Sequence, residues 1–426
     1  MPLKLEHTEE RLTRRAGLIL IDRFGKKLDL ARKIDRAFPS PGSNRGRRAS
    51  DYVLTLAEML IDGAMHLEDV RAFEDDDAYK VMTERQAYPS SDAIGDWLRR
   101  SGGSDGERHL WSVLRTLIDH VARGTGHTLD IDGTIIEADK GDATWTYKEV
   151  RGYHPLLGAC PELGLFVGSR FQQGSASPQA ELVGFVHECV DNLPGRITTI
   201  RSDSAGYNHH LINDCIIHHR RFSITADHDS AVMETLSRIS KKAWKHGLSE
   251  DGSRADYDVA ETLHVMTHAR EAFRLIVKRT QRTAQSDLFE GNYNYWIIAT
   301  NIPAQEIDAN AIIHFHNKRG EMERLIGELK HHYNLDHLPC GQFHANALYF
   351  TIGILAFTLV QVLKHHYFGE DWARRSVRSL RYHWLQLPAR LVSHARYTVA
   401  RIAMRYDLFQ QLLNIYTQLS LAPAPA

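Results

Sequence analysis

The chain has 426 residues, about three times a typical domain of roughly 150, so two or three structural units with substantial cores are expected. Hydrophobic residues make up 43% and charged residues 25%, which excludes a mainly disordered chain. The net charge of −1 conceals an uneven layout: Arg11 to Arg48 holds 12 basic and 3 acidic residues, and Lys364 to Arg405 holds 9 and 2. Basic ends therefore flank an acidic middle, which suits a partner with a phosphate backbone or, more plainly, a pair of solvated Arg-rich helices.

Up to about Asp119, apolar residues recur at three- and four-residue spacing, in Leu18 to Leu30, Tyr52 to Ile61 and Ile94 to Leu98. This predicts a helical region over residues 1–120. Phe38-Pro-Ser-Pro-Gly-Ser43 reads as a loop, and Pro89-Ser-Ser-Asp92 as a helix start. The residues that follow it, Ala93 to Arg100, suit either a small DNA-reading helix or a plain bundle. Residues 1–25 carry charges throughout, with no apolar h-region, so no secretory signal is expected. Cys160, Cys189, Cys215 and Cys340 form no C-x-x-C pair, so neither zinc nor a disulfide framework is signalled and a cytoplasmic location is expected.

After Gly124 the period changes. Strands are predicted at His127 to Ile136, Leu156 to Ala159, Leu165 to Phe171, Ile197 to Ser202 and Arg221 to Ala226, with helices at Pro178 to Leu193 and His209 to His219. The order βββαβαβ over residues 121–227 implies an α/β fold, a mixed sheet covered by helices. Residues 228–305 add strands at Glu261 to Met266, Phe273 to Lys278 and Tyr295 to Ala299, and read as a β-rich insertion. Helical periodicity returns over residues 306–363. There the 14-residue charge-free run Ala347 to Val360 is shorter than the roughly 20 residues of a membrane span and reads as a buried core helix. Residues 364–426 read as a basic helical C-terminal region.

Three carboxylates stand out. Asp132 lies in the first strand, in Leu-Asp-Ile-Asp-Gly-Thr134, and Asp203 closes the fourth, in Ile-Arg-Ser-Asp-Ser-Ala-Gly-Tyr207. Open α/β sheets place ligands at the carboxyl ends of central strands, and two aspartates there suit Mg²⁺; a turn-capping role is the plainer alternative for each. The third comes from the segment His316 to Lys330. At about 100° per residue, His316, Arg319, Glu323 and Lys330 share one stripe, whereas Glu321 and Glu328 fall on the far side. An Arg319–Glu323 salt bridge on an ordinary helix face is the alternative.

These motifs, with R-x3-E-x6-K after a β-rich insertion, resemble the DDE transposases of bacterial insertion sequences, and within them the insertion-sequence 1380 family. Pro41-Gly-Ser-Asn-Arg-Gly46, Trp145-Thr-Tyr-Lys148, Arg151-Gly-Tyr153 and Leu338-Pro-Cys-Gly341 share in the likeness, which spans nearly the whole chain. It implies an RNase H-like core, interrupted by the insertion and flanked by a helical N-terminal region, residues 1–120, that binds the terminal inverted repeats and by a helical C-terminal region. It also implies cut-and-paste transposition: metal-dependent cleavage at terminal inverted repeats and strand transfer into target DNA, with a hairpin intermediate in some relatives. Asp132, Asp203 and Glu323 would be catalytic and would hold two Mg²⁺ ions, for which Mn²⁺ substitutes, to activate the nucleophile and stabilise the leaving oxygen. Arg319, Lys330 and His316 would contact DNA phosphate, His316 standing where the family has tyrosine. A homodimer in the synaptic complex, double-stranded DNA partners and no membrane complete the expectation.

Some alternatives stay open. Asp130, two residues from Asp132 on the same strand face, rivals it as the first carboxylate. A DNA-binding repressor derived from a transposase, or an RNase H-like nuclease without strand transfer, rivals the function. Trp244 and Trp296 suit either stacking on an unpaired base or core packing. The paired histidines, such as His218-His219, point about 100° apart on a helix and do not share an ion as i, i+4 ligands would.

Overall fold

The computed structural model of the protein describes residues 3–43, 46–103, 105–177, 179, 181–281 and 293–421. Asn44, Arg45, Pro178 and the tail from Ala422 lie outside the described residues.

Nine strands form the main sheet: β1 (His127–Gly133), β2 (Leu156–Cys160), β3 (Leu165–Arg170), β4 (Ile197–Ser202), β5 (Arg221–Thr225), β6 (Lys245–Leu248), β7 (Arg254–His264), β8 (Phe273–Gln281) and β9 (Tyr293–Thr300). Their spatial order is β6-β7-β8-β9-β5-β4-β1-β2-β3. β1, β4 and β5 run parallel, while β2 and β3 are antiparallel neighbours of the same core. The order β3-β2-β1-β4-β5 is the mixed sheet that the βββαβαβ pattern implies, in the RNase H-like arrangement expected from the family resemblance. Helices α1 (Leu182–Asn192) and α2 (His209–Ile217) make the crossovers to β4 and β5.

The insertion does not stand apart from this sheet. β9 pairs antiparallel with β5, Ile298 opposite Thr225 and Thr300 opposite Ser223, so the antiparallel strands β6 to β9 lengthen the core sheet. Both faces of β8 and β9 are apolar, which is what permits it. Leu275, Val277 and Ile297 join the main core, whereas Ile276 and Ile298 join a second cluster with Ile312 and Ile313 on the opposite face. Those last two residues belong to α3 (Ala309–Asn317), which is followed by α4 (Gly320–His332) and α5 (Phe343–Tyr367).

The charge-free run lies in α5, the one helix among the described residues long and apolar enough to cross a membrane, and its apolar stretch is wholly buried inside the protein. Helices Ala49–Asp62, Ser91–Gly102 and Gly106–Val121 pack against it. At Gly102 a Cβ would come 2.2 Å from the His344 carbonyl oxygen, so glycine sets the approach of these backbones. The helical region at residues 1–120 thus shares its core with the long helix rather than folding around a core of its own.

The C-terminal region departs from the expected run of basic helices. Ala389–Ser393 and Thr398–Ile402 form a hairpin, and its first strand also pairs with Leu12–Thr13. Thr-Val-Ala-Arg-Ile402 is rich in β-branched residues, which favour a strand over the expected helix. The helix Tyr406–Ser420 then packs on Ile19–Lys27, so the two basic ends of the chain meet.

Candidate active site

Strand register brings the first two carboxylates together. Ile131 lies opposite Ser202 in the parallel β1–β4 pair, so Asp132 and Asp203 each stand one residue further along adjacent strands, at their carboxyl ends. Both line a cleft of about 350 Å³ together with Tyr147, His154, Ser204 and Asp227. Asp203 caps the short turn Ser204–Gly206, its Oδ1 accepting from the Ala205 N–H at 3.1 Å. The capping role and a place in the cleft therefore coexist. Gly133 keeps room for the cleft wall, since a Cβ there would meet the His154 ring at 2.5 Å.

Asp130 is occupied elsewhere. It is wholly buried, and Arg201 from β4 grips both of its oxygens, Nε at 2.6 Å and Nη2 at 2.7 Å. The same guanidinium donates to the Phe315 carbonyl at the end of α3. Two residues of like type on one strand face thus separate into a buried structural pair and a cleft carboxylate.

The R-x3-E-x6-K segment is not one continuous helix. α3 ends at Asn317, a turn occupies Lys318 and Arg319, and α4 begins at Gly320. Within α4 the expected apolar stripe holds: Met322, Leu325, Ile326 and Leu329 are buried. Glu323 is exposed in the first turn of α4 and adds to the negative field at Asp132. Glu328 is buried at 3% exposure, accepts the Val377 N–H at 2.8 Å and pairs with Arg324, so it ties α4 to the C-terminal region. Glu328→Ala is therefore expected to lower the melting temperature, contrary to what a place on the far face suggests.

The three expected phosphate contacts have other partners in the structure. Arg319 reaches Asp132, Nη2 to Oδ2 at 3.3 Å, so its ion pair is with the cleft carboxylate and not with Glu323. Lys330 donates to the Ile135 carbonyl at 2.8 Å, tying α4 to the loop after β1. His316 is only 2% exposed, and its two ring nitrogens lie 2.8 Å from Ser223 Oγ and 3.0 Å from Thr225 Oγ1 on β5. Burial, with Arg319 and Arg201 nearby, pulls its imidazole down to about 3, so it is neutral. That leaves the ring fixing α3 to the sheet, with no nitrogen turned to solvent for a phosphate.

Burial pushes the Asp132 carboxyl up to about 6; Arg319 opposes the rise, and Asp203 and Glu323 add to it. A cation needs this carboxylate ionised, so Mn²⁺ affinity should climb as pH passes through about 6. Arg319→Gln removes the positive charge that favours ionisation, so the midpoint of that climb should move to higher pH. Calorimetric Mn²⁺ titrations from pH 5 to 8 measure it; an unmoved midpoint shows that the ion pair does not govern Asp132.

Two cleft residues escaped the sequence reading. Asp227 sits two residues beyond β5, at the carboxyl end of the third parallel strand, and burial together with Asp229 and Asp203 raises its carboxyl while a Ser204 hydrogen bond lowers it. The sequence carries the signal, because Asp227 directly follows the predicted strand Arg221 to Ala226, as Asp203 follows Ile197 to Ser202. His154 is 4% exposed, and burial lowers its imidazole. Nothing in Arg-Gly-Tyr-His154 marks it without the fold. In the insertion, Trp244 stacks under the Arg279 guanidinium at 3.9 Å, and Trp296 lies 5.4 Å from the His316 ring; both are half-buried.

The family model described as "Transposase DDE domain group 1" matches residues 1–424. No curated protein matches the sequence significantly. Among solved structures, the chain is similar to that of the piggyBac transposase synaptic complex with hairpin DNA, determined by cryo-EM. The identity is 11%, over 97% of this chain and 83% of that one, with a TM-score of 0.45.

Proposed function

From the premise that the chain belongs to the group 1 family of DDE-domain transposases, we propose that it cleaves double-stranded DNA at the terminal inverted repeats of an insertion sequence and joins the freed ends to target DNA. The observation that carries this reading is the pairing of Asp132 and Asp203 in register at the ends of adjacent parallel strands, with Glu323 in electrostatic reach. Three carboxylates are an all-oxygen donor set that suits a hard divalent cation, and such a cation would offset both the burial and the neighbouring charges of Asp203 and Glu323 that raise the Asp132 carboxyl. Mg²⁺ fits these residues, with Mn²⁺ as its substitute. Bound there, such ions supply Lewis-acid stabilisation of charge on the phosphoryl oxygens.

The chain's own groups do the rest. Asp132, Asp203 and Glu323 hold the negative charge that fixes the cations, and Arg319 balances Asp132 and stands ready at the phosphate. In the first step a water oxygen attacks phosphorus and loses its proton, and the P–O3′ bond breaks to leave a 3′-hydroxyl and a 5′-phosphate. In the second, that hydroxyl attacks a target phosphodiester, with one P–O bond formed and one broken, so no covalent protein intermediate is required. Duplex binding falls to the joined basic ends, where Arg390 lies opposite Leu12 on one side and Arg401 on the other, and where Arg11, Arg396 and Arg401 are exposed. Two copies in a synaptic complex would present two ends.

Incubating the full chain with its flanking genomic DNA and Mg²⁺ tests the reading. Cleavage mapped to the repeat boundaries and joined products are expected. Binding without cleavage in either Mg²⁺ or Mn²⁺ would favour a repressor, and cleavage without joining a nuclease.

A further inference from the structure

Outside the catalytic cleft, one group of metal-ligating side chains among the described residues brings its ligand atoms all within 4.8 Å of one another: His187, Asp214 and His218. His187 comes from α1, whereas Asp214 and His218 stand four residues apart, on α2 and at its C-terminal cap. The Asp214 Oδ1 lies 2.7 Å from His187 Nε2 and 3.4 Å from His218 Nε2. The two imidazoles face each other edge to face, their centroids 5.3 Å apart. Arg220 holds the other oxygen, Nη1 to Oδ2 at 3.1 Å, which fixes the carboxylate with Oδ1 toward both rings.

The donor chemistry differs from that of the triad. Two imidazole nitrogens with one carboxylate oxygen suit a borderline ion such as Zn²⁺, while an all-carboxylate set suits Mg²⁺. Zinc–ligand bonds of about 2.0–2.2 Å in a tetrahedron place ligand atoms roughly 3.3–3.5 Å apart. The His218–Asp214 spacing already has that value, and the His187–Asp214 hydrogen bond need open by less than 1 Å to reach it. Asp214 is buried, but both imidazoles are nearly half exposed, so an ion has access and a fourth position is open to water.

We propose that His187, Asp214 and His218 form a binding site for a Zn²⁺-class divalent ion, separate from the catalytic triad, that clamps α1 to α2. The imidazoles carry the proton on Nδ1 when the ion is bound, leaving the Nε2 lone pairs as ligands. The clamp has a position to matter: Leu182 at the start of α1 lines the catalytic cleft, and α2 is capped by Asn208, five residues after Asp203. The site is defined by these side chains alone and is independent of the transposase reading.

The test uses the metal-free full chain carrying Asp203→Asn and Glu323→Gln, which weakens cation binding at the triad, titrated with Co²⁺ as a spectroscopic probe. One equivalent should bind with the visible d–d bands of a four- or five-coordinate ion and be displaced by Zn²⁺. His187→Ala and His218→Ala should each weaken binding at least about tenfold, and Zn²⁺ should raise the melting temperature of the parent but not of these variants. His187→Cys should add a thiolate-to-cobalt charge-transfer band in the near ultraviolet, a positive signal that loss of folding cannot mimic. Absence of d–d bands in the parent, or bands and affinity that survive both histidine replacements, overturns the proposal and leaves a hydrogen-bonded cluster only.

Discussion

Replacing any one of Asp132, Asp203 and Glu323 by its amide is expected to cut end cleavage by about 10³-fold or more while leaving end binding in place. The amide keeps the size of the side chain but gives up the charge that fixes a divalent cation. Losing about 4 kcal/mol of transition-state charge stabilisation corresponds to roughly three decades in rate. Binding survives because the phosphate contacts proposed at the basic ends involve none of these three carboxylates. An end-cleavage assay beside a band-shift titration measures both. Glu321→Gln serves as the control, since Glu321 pairs with Arg324 on the surface of α4. Cleavage that depends on Glu321 and not on Glu323 would refute the assignment.

Replacing Asp130 or Arg201 by alanine is expected to have a large effect of the opposite kind, on stability. The two side chains are 0% and 2% exposed, and removing one leaves the other charge buried without its partner. Such a loss costs about 3–5 kcal/mol, a large share of the roughly 5–15 kcal/mol that holds a typical domain together. Burial alone pushes the Asp130 carboxyl up while Arg201 pulls it down, so the pair is what keeps the charge tolerable. Asp132→Asn should behave differently in the same melting experiment. Because its folded carboxyl is raised from 3.8 to about 6, ionisation is penalised in the folded state, and that penalty grows as pH rises from about 4 through about 6. The amide avoids it, so at neutral pH the melting temperature of Asp132→Asn should equal or exceed that of the parent. Equal melting temperatures for Asp130→Ala and the parent would sink the division of roles between these neighbours.

The core strands were legible because each is short, apolar and bounded by turn residues; Ile197 to Ser202 was predicted to the residue. The carboxyl-end position of Asp203 followed directly from that strand. What the sequence did not disclose depends on partners distant in the chain. Nothing local tells that Arg201 will take Asp130, or that Arg319 will turn from Glu323 to Asp132, because the helix break at Lys318 redirects it. A helical wheel drawn from His316 runs through that break and puts on the surface a ring that β5 buries. Domain boundaries were hidden for a similar reason. Composition separates residues 1–120 from the long apolar helix, yet their apolar faces complete one another, so a fragment ending near Asp119 would expose the surface that α5 covers.

The pairing of Leu12–Thr13 with the hairpin that begins at Ala389 also orders events in time. Everything between Leu12 and Arg390 must leave the ribosome before this small sheet closes, so a nascent chain that already has its cleft carboxylates still lacks the paired strands of the basic face. Closure across so long a stretch of chain is slow compared with local helix formation. Under the proposed function, messages cut short before this hairpin are expected to yield a protein that has cleft carboxylates but lacks the strands assigned to duplex binding, so premature termination disarms the product rather than releasing an unguided nuclease.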